Sequence, residues 1–232
     1  MSPLSEAFHL LTHLDPYMIS VIAVSFKVSA ASLALSMLVG LPVGIALGTT
    51  RFAGRLGFLI LVNSAIGLPP VVVGLVTFLA LRSGGVFGSA GLLYTPTAMV
   101  IAQVPLAVPL IAGITMAAVS SLPRGLILQT RAFGANRIQQ IAAIVRHSRS
   151  SLVAACVAGF AATISEVGAI LITGGNLLIG GRNYTRTMTT AIVLETRLGN
   201  FARALAFGII LIAIIVVVNI ILTRIQVGKP QR

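Results

Sequence analysis

Apolar residues in this chain come in blocks long enough to cross a lipid bilayer, and that feature constrains its fold more than any other. A hydrocarbon core of about 30 Å takes roughly 20 helical residues. The blocks are continuous instead of alternating along an amphipathic face, so they read as spans and not as the buried side of a soluble domain. Five follow, at about 18–48, 57–81, 96–120, 152–173 and 205–223. The fold class read from them is all-α, a polytopic membrane protein in one domain over 1–232, because no repeat, low-complexity tract or Pro-rich linker divides the chain.

Composition supports lipid as the solvent. Of the 232 residues 57% are hydrophobic and only 9% charged, whereas about a quarter of an ordinary globular domain is charged. Pro42, within Gly40-Leu41-Pro42-Val43-Gly44, predicts a bend near the end of the first span, and Pro69-Pro70 predicts one in the second.

The net charge of +12, from 16 basic and 4 acidic residues, would suggest a nucleic-acid partner in a soluble chain. Here the basic residues fall between the apolar blocks, where Lys and Arg in short loops orient spans with their positive side in the cytoplasm. One side receives ten: Arg51, Arg55, Arg124, Arg131, Arg137, Arg146, Arg149, Arg224, Lys229 and Arg232. The other receives Arg82, Arg182, Arg186, Arg197 and Arg203, with Lys27 near the outer end of the first span. The expected topology therefore has the N-terminus outside and the C-terminus cytoplasmic, in a cell (inner) membrane, with no nucleic-acid role.

Cys156 is the only cysteine and lies in an apolar block, which excludes a disulfide framework or a thiolate zinc site. His9, His13 and His147 have no carboxylate or thiol at ligand spacing, so no metal is expected. Residues 1–17 hold no Lys or Arg and so lack the basic region of a cleaved signal peptide. Within them, residues 4–11 carry apolar side chains at helical spacing and are expected to lie on the membrane surface.

The stretch between spans three and four, 122–151, is the most polar and is too long for a mere connector. It reads as two short helices turning at Gly134-Ala135-Asn136, a small-residue corner that another protein can approach closely. Gly134 and Ile144 stand at the spacing of the cytoplasmic signature of binding-protein-dependent ABC transporter permeases: Glu-Ala-Ala, three residues, Gly, nine residues, Ile, one residue, Leu-Pro. Gln129 to Ala132 occupy its acidic and small-residue stretch, with Gln129, Thr130 and Arg131 in place of much of the Glu-Ala-Ala start. Arg146-His147 stands in place of Leu-Pro.

Further segments resemble the tungstate-type permeases of that family. They are Ser165-Glu166-Val167-Gly168-Ala169-Ile170, Gly174-Gly175-Asn176, the run 184–192, Leu194-Glu195-Thr196, Leu68-Pro69-Pro70 with the residues to Leu75, and 92–103. The resemblance runs over nearly the whole chain from Phe26. It implies a type I ABC importer permease fold and a homodimer that moves tungstate by alternating access, with molybdate or sulfate as the alternative cargo. It also implies an extracytoplasmic binding protein that delivers the anion, and a cytoplasmic ATP-binding subunit that holds ATP and magnesium. This chain is then expected to be no enzyme and to bind no cofactor itself. Its two lysines, Lys27 and Lys229, stand outside any phosphate-binding loop, which agrees.

On the same resemblance Gln129, Arg131, Ala132, Gly134, Ala135, Asn136 and Arg137 form the coupling surface. Pro69, Pro70, Gln103, Glu166, Gly174, Gly175 and Asn176 are candidates for the path and gate. Glu166 is the only acid within a predicted span, and an ionised carboxylate there costs several kcal/mol unless it faces protein or water. It serves either as a gate or as a tie between helices. Gln103, Asn63, Ser64 and Thr163 either line the path or bond across helices. Arg182, Arg186, Arg197 and Arg203 either attract an oxyanion or partner, or sit in solvent and headgroups. Arg131, Arg137, Arg146 and Arg149 either touch the ATP-binding subunit or enforce topology. A stand-alone secondary transporter or channel is the rival class, which paired inverted repeats or several intramembrane charges would mark.

Overall fold

The computed structural model describes residues 2–13 and 15–227. Ten helices and one short hairpin are described: α1 Pro3–Thr12, α2 Pro16–Thr49, α3 Arg55–Ile66, α4 Pro70–Leu81, α5 Pro96–Ser120, α6 Arg124–Ala132, α7 Arg137–Ile164, α8 Gly168–Gly174, β1 Leu178–Ile179, β2 Arg182–Asn183, α9 Met188–Arg197 and α10 Phe201–Val227. The hairpin pairs β1 and β2 antiparallel and is the only departure from an all-helical fold among the described residues.

Two of the long helices, α2 and α5, start where the sequence supplies both a cap and a proline. Asp15 accepts from the Met18 N–H at 2.6 Å with Pro16 in the first turn of α2, and Thr95 accepts from the Ala98 N–H at 3.3 Å with Pro96 opening α5. A side-chain oxygen there satisfies one of the orphan N–H groups of a helix start, and proline has no N–H to lose.

A ridge of small side chains packs α2 on α5. Ser25, Ser29, Ser32, Ser36, Gly40 and Gly44 are all buried. An added Cβ on Gly40 would stand 3.0 Å from Ile111 Cβ, on Gly44 2.6 Å from Thr115 Cβ, and on Gly48 2.8 Å from Val119 Cβ. Lipid provides no hydrophobic force between helices, so close backbone approach and interhelical hydrogen bonds do the work. The glycines flanking Pro42 therefore act as contact surface, and α2 runs through Pro42 unbroken to Thr49.

These contacts also fix the direction of the passes. Ser32 meets Gln103, and contacts then advance together toward Gly48 and Val119, so α2 and α5 run parallel. The chain must recross between them, and α3 with α4 makes that crossing as one span bent by 99°. Gly159 meets Ile111 and the Thr163 carbonyl meets Gln103, so α7 runs antiparallel to α5. The start of α10 packs with the start of α2 through Met18, Val21, Ala206 and Phe207. With the bent α3–α4 pair counted as one span there are five candidate passes, and the start of α2 and the end of α10 at Val227 lie on opposite sides.

The second span bends at Pro69-Pro70 as expected, and the bend parts it into α3 and α4. Two sequence expectations change. The second helix of the polar stretch is not short, because α7 begins at Arg137 and continues as the fourth pass to Ile164. That pass does not reach residue 173 as one helix: it stops at Ile164, and α8 follows a break at 165–167. The N-terminal segment is helical as expected, and α1 buries Ala7 in the cluster formed by α2, α9 and α10.

Candidate translocation cavity and coupling surface

The two chain breaks lie on either side of one cavity of about 160 Å³. Leu68 and Pro70 line it from the α3–α4 break, Gln103, Leu106 and Leu110 from α5, and Thr163 and Glu166 from the end of α7. Pro70 opens α4, and the Pro69 carbonyl accepts from the Val72 and Val73 N–H groups at 3.0 and 3.2 Å. Among the candidates for the path, Pro70, Gln103 and Glu166 thus share one site, with Pro69 at its edge.

Gln103, 1% exposed, uses both ends of its amide. Its oxygen accepts from Ser32 Oγ at 2.6 Å, and its nitrogen donates to the Thr163 carbonyl at 2.7 Å. One side chain therefore ties α2, α5 and α7 and satisfies a carbonyl that the end of α7 leaves without a helical partner.

Glu166 stands in the break and not inside a helix. Its Oε1 accepts from the Ala169 N–H at 3.0 Å, and its own carbonyl accepts from Thr189 Oγ1 at 2.7 Å. The carboxylate forms no ion pair among the described residues, which have two, both made by Arg203. Its side chain thus holds the first turn of α8 within its own segment, its main chain is joined to α9 through Thr189, and it lines the cavity.

Gly174, Gly175 and Asn176 lie away from the cavity, at the far end of α8. An added Cβ on Gly174 would meet Met99 Cγ at 2.8 Å, and Gly175, at φ +67°, faces the Tyr94 ring. Asn176 accepts from Thr190 Oγ1 at 3.1 Å, and its carbonyl accepts from Arg186 Nε at 3.1 Å. Asn63 and Ser64 are exposed on α3.

Sequence reasoning missed a polar cluster at this same end of the molecule. Glu195 is 3% exposed and accepts from Asn200 Nδ2 at 2.8 Å and from Tyr17 Oη at 3.4 Å. Arg203 lies 3.8 Å from Glu195 and 3.9 Å from Asp15. The guanidinium carbons of Arg186 and Arg203 stand 5.9 and 5.7 Å from the centre of the Tyr17 ring, a cation–π geometry. Two of the four arginines considered for anion attraction are thus occupied within the fold, while Arg182 and Arg197 remain exposed.

At the opposite end, α6 and α7 meet at a corner around Gly134, which adopts φ +75° with open space where a Cβ would stand. Backbone conformation, and not crowding within the chain, requires glycine there. The Ala135 N–H bonds the Thr130 carbonyl at 3.0 Å, and Asn136 and Gln139 cap α7 reciprocally at 2.9 and 2.8 Å. Gln129, Ala132, Gly134, Asn136 and Arg137 are exposed and Ala135 is half-buried; the side chain of Arg131, like Lys229 and Arg232, lies outside the described set. Phe133 is 89% exposed, Ile138 78% and Leu128 63%. These large apolar side chains and the exposed Arg137 leave the corner with an apolar and basic surface of the kind that meets a protein or a membrane.

Comparison with known proteins agrees with this geometry. Residues 40–227 match the family model for the binding-protein-dependent transport system inner membrane component. The chain is 39% identical over 217 residues to a probable anion ABC transporter permease protein of Haloferax volcanii, covering 93% of this chain and 94% of that one. It is 35% identical to the tungstate uptake system permease protein TupB of Peptoclostridium acidaminophilum, covering 95% of each. In fold it is similar to a chain of a bacterial ABC transporter involved in the import of the acidic polysaccharide alginate. The TM-score is 0.74 at 17% identity, covering 95% of this chain and 83% of the other.

Proposed function

Because this chain belongs to the family of binding-protein-dependent transport system inner membrane components, the membrane-spanning permeases of ABC importers, we propose that it moves tungstate across a cell membrane by alternating access. The observation that carries the substrate is its 35% identity to a tungstate uptake permease over nearly all of both chains, beside 39% to an anion permease. Two copies enclose the path, each contributing the cavity between its chain breaks. An extracytoplasmic binding protein delivers the oxyanion to the end that carries Glu195 and Arg203. An ATP-binding subunit receives the corner from Gln129 to Arg137, with Phe133 and Ile138 entering its surface. ATP-driven closure of that subunit pulls on α6, and the pull passes along the single helix α7 to the break at Glu166.

The N-terminus lies outside and the corner inside. This reading rests on the arginines of the corner side, Arg51, Arg55, Arg137, Arg146 and Arg149, since basic residues accumulate in cytoplasmic loops.

Tungstate accumulation in cells lacking the chain, complemented with the wild-type chain and challenged with excess molybdate or sulfate, tests the substrate. Uptake restored for tungstate and resistant to the other two is expected. Uptake of molybdate or sulfate alone would refute tungstate as the cargo, and full uptake without any ATP-binding subunit would refute the importer. Gly134→Val forces a β-branched residue into a left-handed conformation. Membrane insertion should persist while uptake is lost; normal uptake would overturn the coupling role of the corner.

A further inference from the structure

The helices that follow the two chain breaks touch each other more closely than either touches the helix before it. An ideal Cβ on Gly74 of α4 would stand 2.6 Å from Ala169 Cα of α8, and one on Gly168 of α8 would stand 2.7 Å from Val71 Cγ2 and 3.6 Å from Val71 Cα. Backbone thus lies against backbone over the first turns of both. At its other end α8 is held to the start of α5, where the Thr173 carbonyl accepts from the Tyr94 N–H at 2.9 Å and Gly174 meets Met99. α2, α5 and α7 are joined by the glycine and serine ridge and by the Gln103 bonds, a continuous frame.

The cavity lies on the corner side of the α4–α8 contact, since its α5 wall runs from Gln103 toward Leu110 and α4 and α8 lead away from it. We infer that α4 and α8 form one gate leaf, turning as a single body about the breaks at 67–69 and 165–167, and that Glu166 is the positioning residue at its hinge. Glu166 suits that role because its Oε1 holds the first turn of α8 through the Ala169 N–H while its carbonyl is held by Thr189 of α9. Its task is to set the attitude of the leaf, and the anion need not touch it. The inference rests on the transport reading above for its readout and goes beyond it in naming what moves.

The test uses the assembled transporter in proteoliposomes, with Val71→Cys and Gly168→Cys in a Cys156→Ala background. The Cβ separation implied by these contacts falls near the about 3.5–4.5 Å that a disulfide spans. Oxidation should join the pair, read as loss of free thiol, and the joined transporter should retain at least roughly half of its uptake, because a leaf that moves as one body is not hindered by a link within it. Failure of the link to form would overturn the contact, and uptake abolished by the link and restored by reductant would overturn the single body. The hinge role is read from Glu166→Ala, expected to lower the maximal rate about tenfold with KM within about twofold, and Glu166→Gln, which keeps an acceptor oxygen and should recover most of the rate. Equal loss in both, or a change confined to KM, would assign Glu166 to the anion and refute positioning. If the parent with neither new cysteine imports no tungstate, the substrate reading fails by itself. Binding-protein-stimulated ATP hydrolysis, measured with and without the link, then still decides the gate.

Discussion

Gly44→Ala adds one methyl group to the middle of the α2–α5 contact, and its consequence follows from distances. The new Cβ would stand 2.6 Å from the Ala112 carbonyl oxygen and 2.6 Å from Thr115 Cβ, whereas carbon atoms in ordinary contact lie about 3.5–4.0 Å apart. The neighbour on one side is backbone and cannot rotate away, so the two helices must part by about 1 Å there. The opening spreads, because Gly40 and Gly48 meet the same helix one turn to either side and the Ser32–Gln103 bond lies on the same seam. Overpacking of this kind costs about 1–3 kcal/mol. At about 2 kcal/mol a chain of this length should lose roughly 4–8 °C in Tm. The single thiol, half-buried Cys156, permits a direct assay in detergent, in which a fluorogenic maleimide reports unfolding. Gly208→Ala is the control, since the added Cβ meets nothing within 4 Å on α10 and the same chemical change there should gain up to about 1 kcal/mol of helix propensity. A Tm for Gly44→Ala at or above wild type, or an equal fall for Gly208→Ala, would refute the argument from close packing.

Two further outcomes follow from the polar ties. Gln103→Leu removes the partner of the Ser32 hydroxyl and leaves the Thr163 carbonyl only its local backbone bonds, the Glu166 N–H at 3.4 Å among them, and should cost about 1–3 kcal/mol for two interhelical bonds. Thermal unfolding should also show Ser32→Ala costing less on that background than on wild type, the coupling that a double-mutant cycle detects. Glu195→Ala leaves Arg203 with the half-buried Asp15 at 3.9 Å as its one remaining ion-pair partner, beside the Tyr17 ring, and should cost about 1–2 kcal/mol, between the limits for exposed and buried pairs. Glu195→Gln should lie between alanine and wild type in the same assay, because it can still accept from Asn200 and Tyr17.

What the sequence revealed and what it hid divide along physical lines. The span at 96–120 is legible to the residue because Thr95-Pro96 is a local start signal next to a long apolar run. Pro69-Pro70 announces a bend, but its 99° is set by α4 docking on α8 through Gly74, a contact between residues far apart in sequence. A helix after the Gly134-Ala135-Asn136 turn is legible, and the Asn136–Gln139 capping box marks its start, but its continuity into the fourth pass is hidden, because hydropathy falls where the helix leaves the apolar block although the helix itself does not end. The break at 165–167 contains no proline, and the carbonyls beside and within it are satisfied from afar, Thr163 by Gln103 and Glu166 by Thr189, so nothing local marks it. Glu195 and Tyr17 are 178 residues apart, and no periodicity connects them. The acid singled out in the sequence, Glu166, belongs to the cavity, while the most buried acid went unnoticed.

The distribution of charge gives the two ends of the molecule unequal completeness. All four acids, Glu6, Asp15, Glu166 and Glu195, lie at the end that carries the hairpin or at the chain break, and none lies at the end that carries α6. At the hairpin end the chain satisfies itself: Asp15 and Glu195 share Arg203, Tyr17 stands between two guanidinium groups, and Asn176, Thr185 and Thr190 close the loop with their own hydrogen bonds. At the α6 end Arg137 and Arg146 have no acidic counterpart in the chain on that side, and Phe133 and Ile138 stand in water. Exposed apolar side chains beside cations without acidic counterparts in the chain suit a surface that is apolar at its centre and acidic at its rim, the contact proposed above for the ATP-binding subunit. The hairpin end is thus closed by the chain's own bonds, which also tie α8 to α5 through Tyr94 and the break to α9 through Thr189, whereas the exposed apolar and basic side chains of the α6 end fit the coupling role proposed for the corner from Gln129 to Arg137.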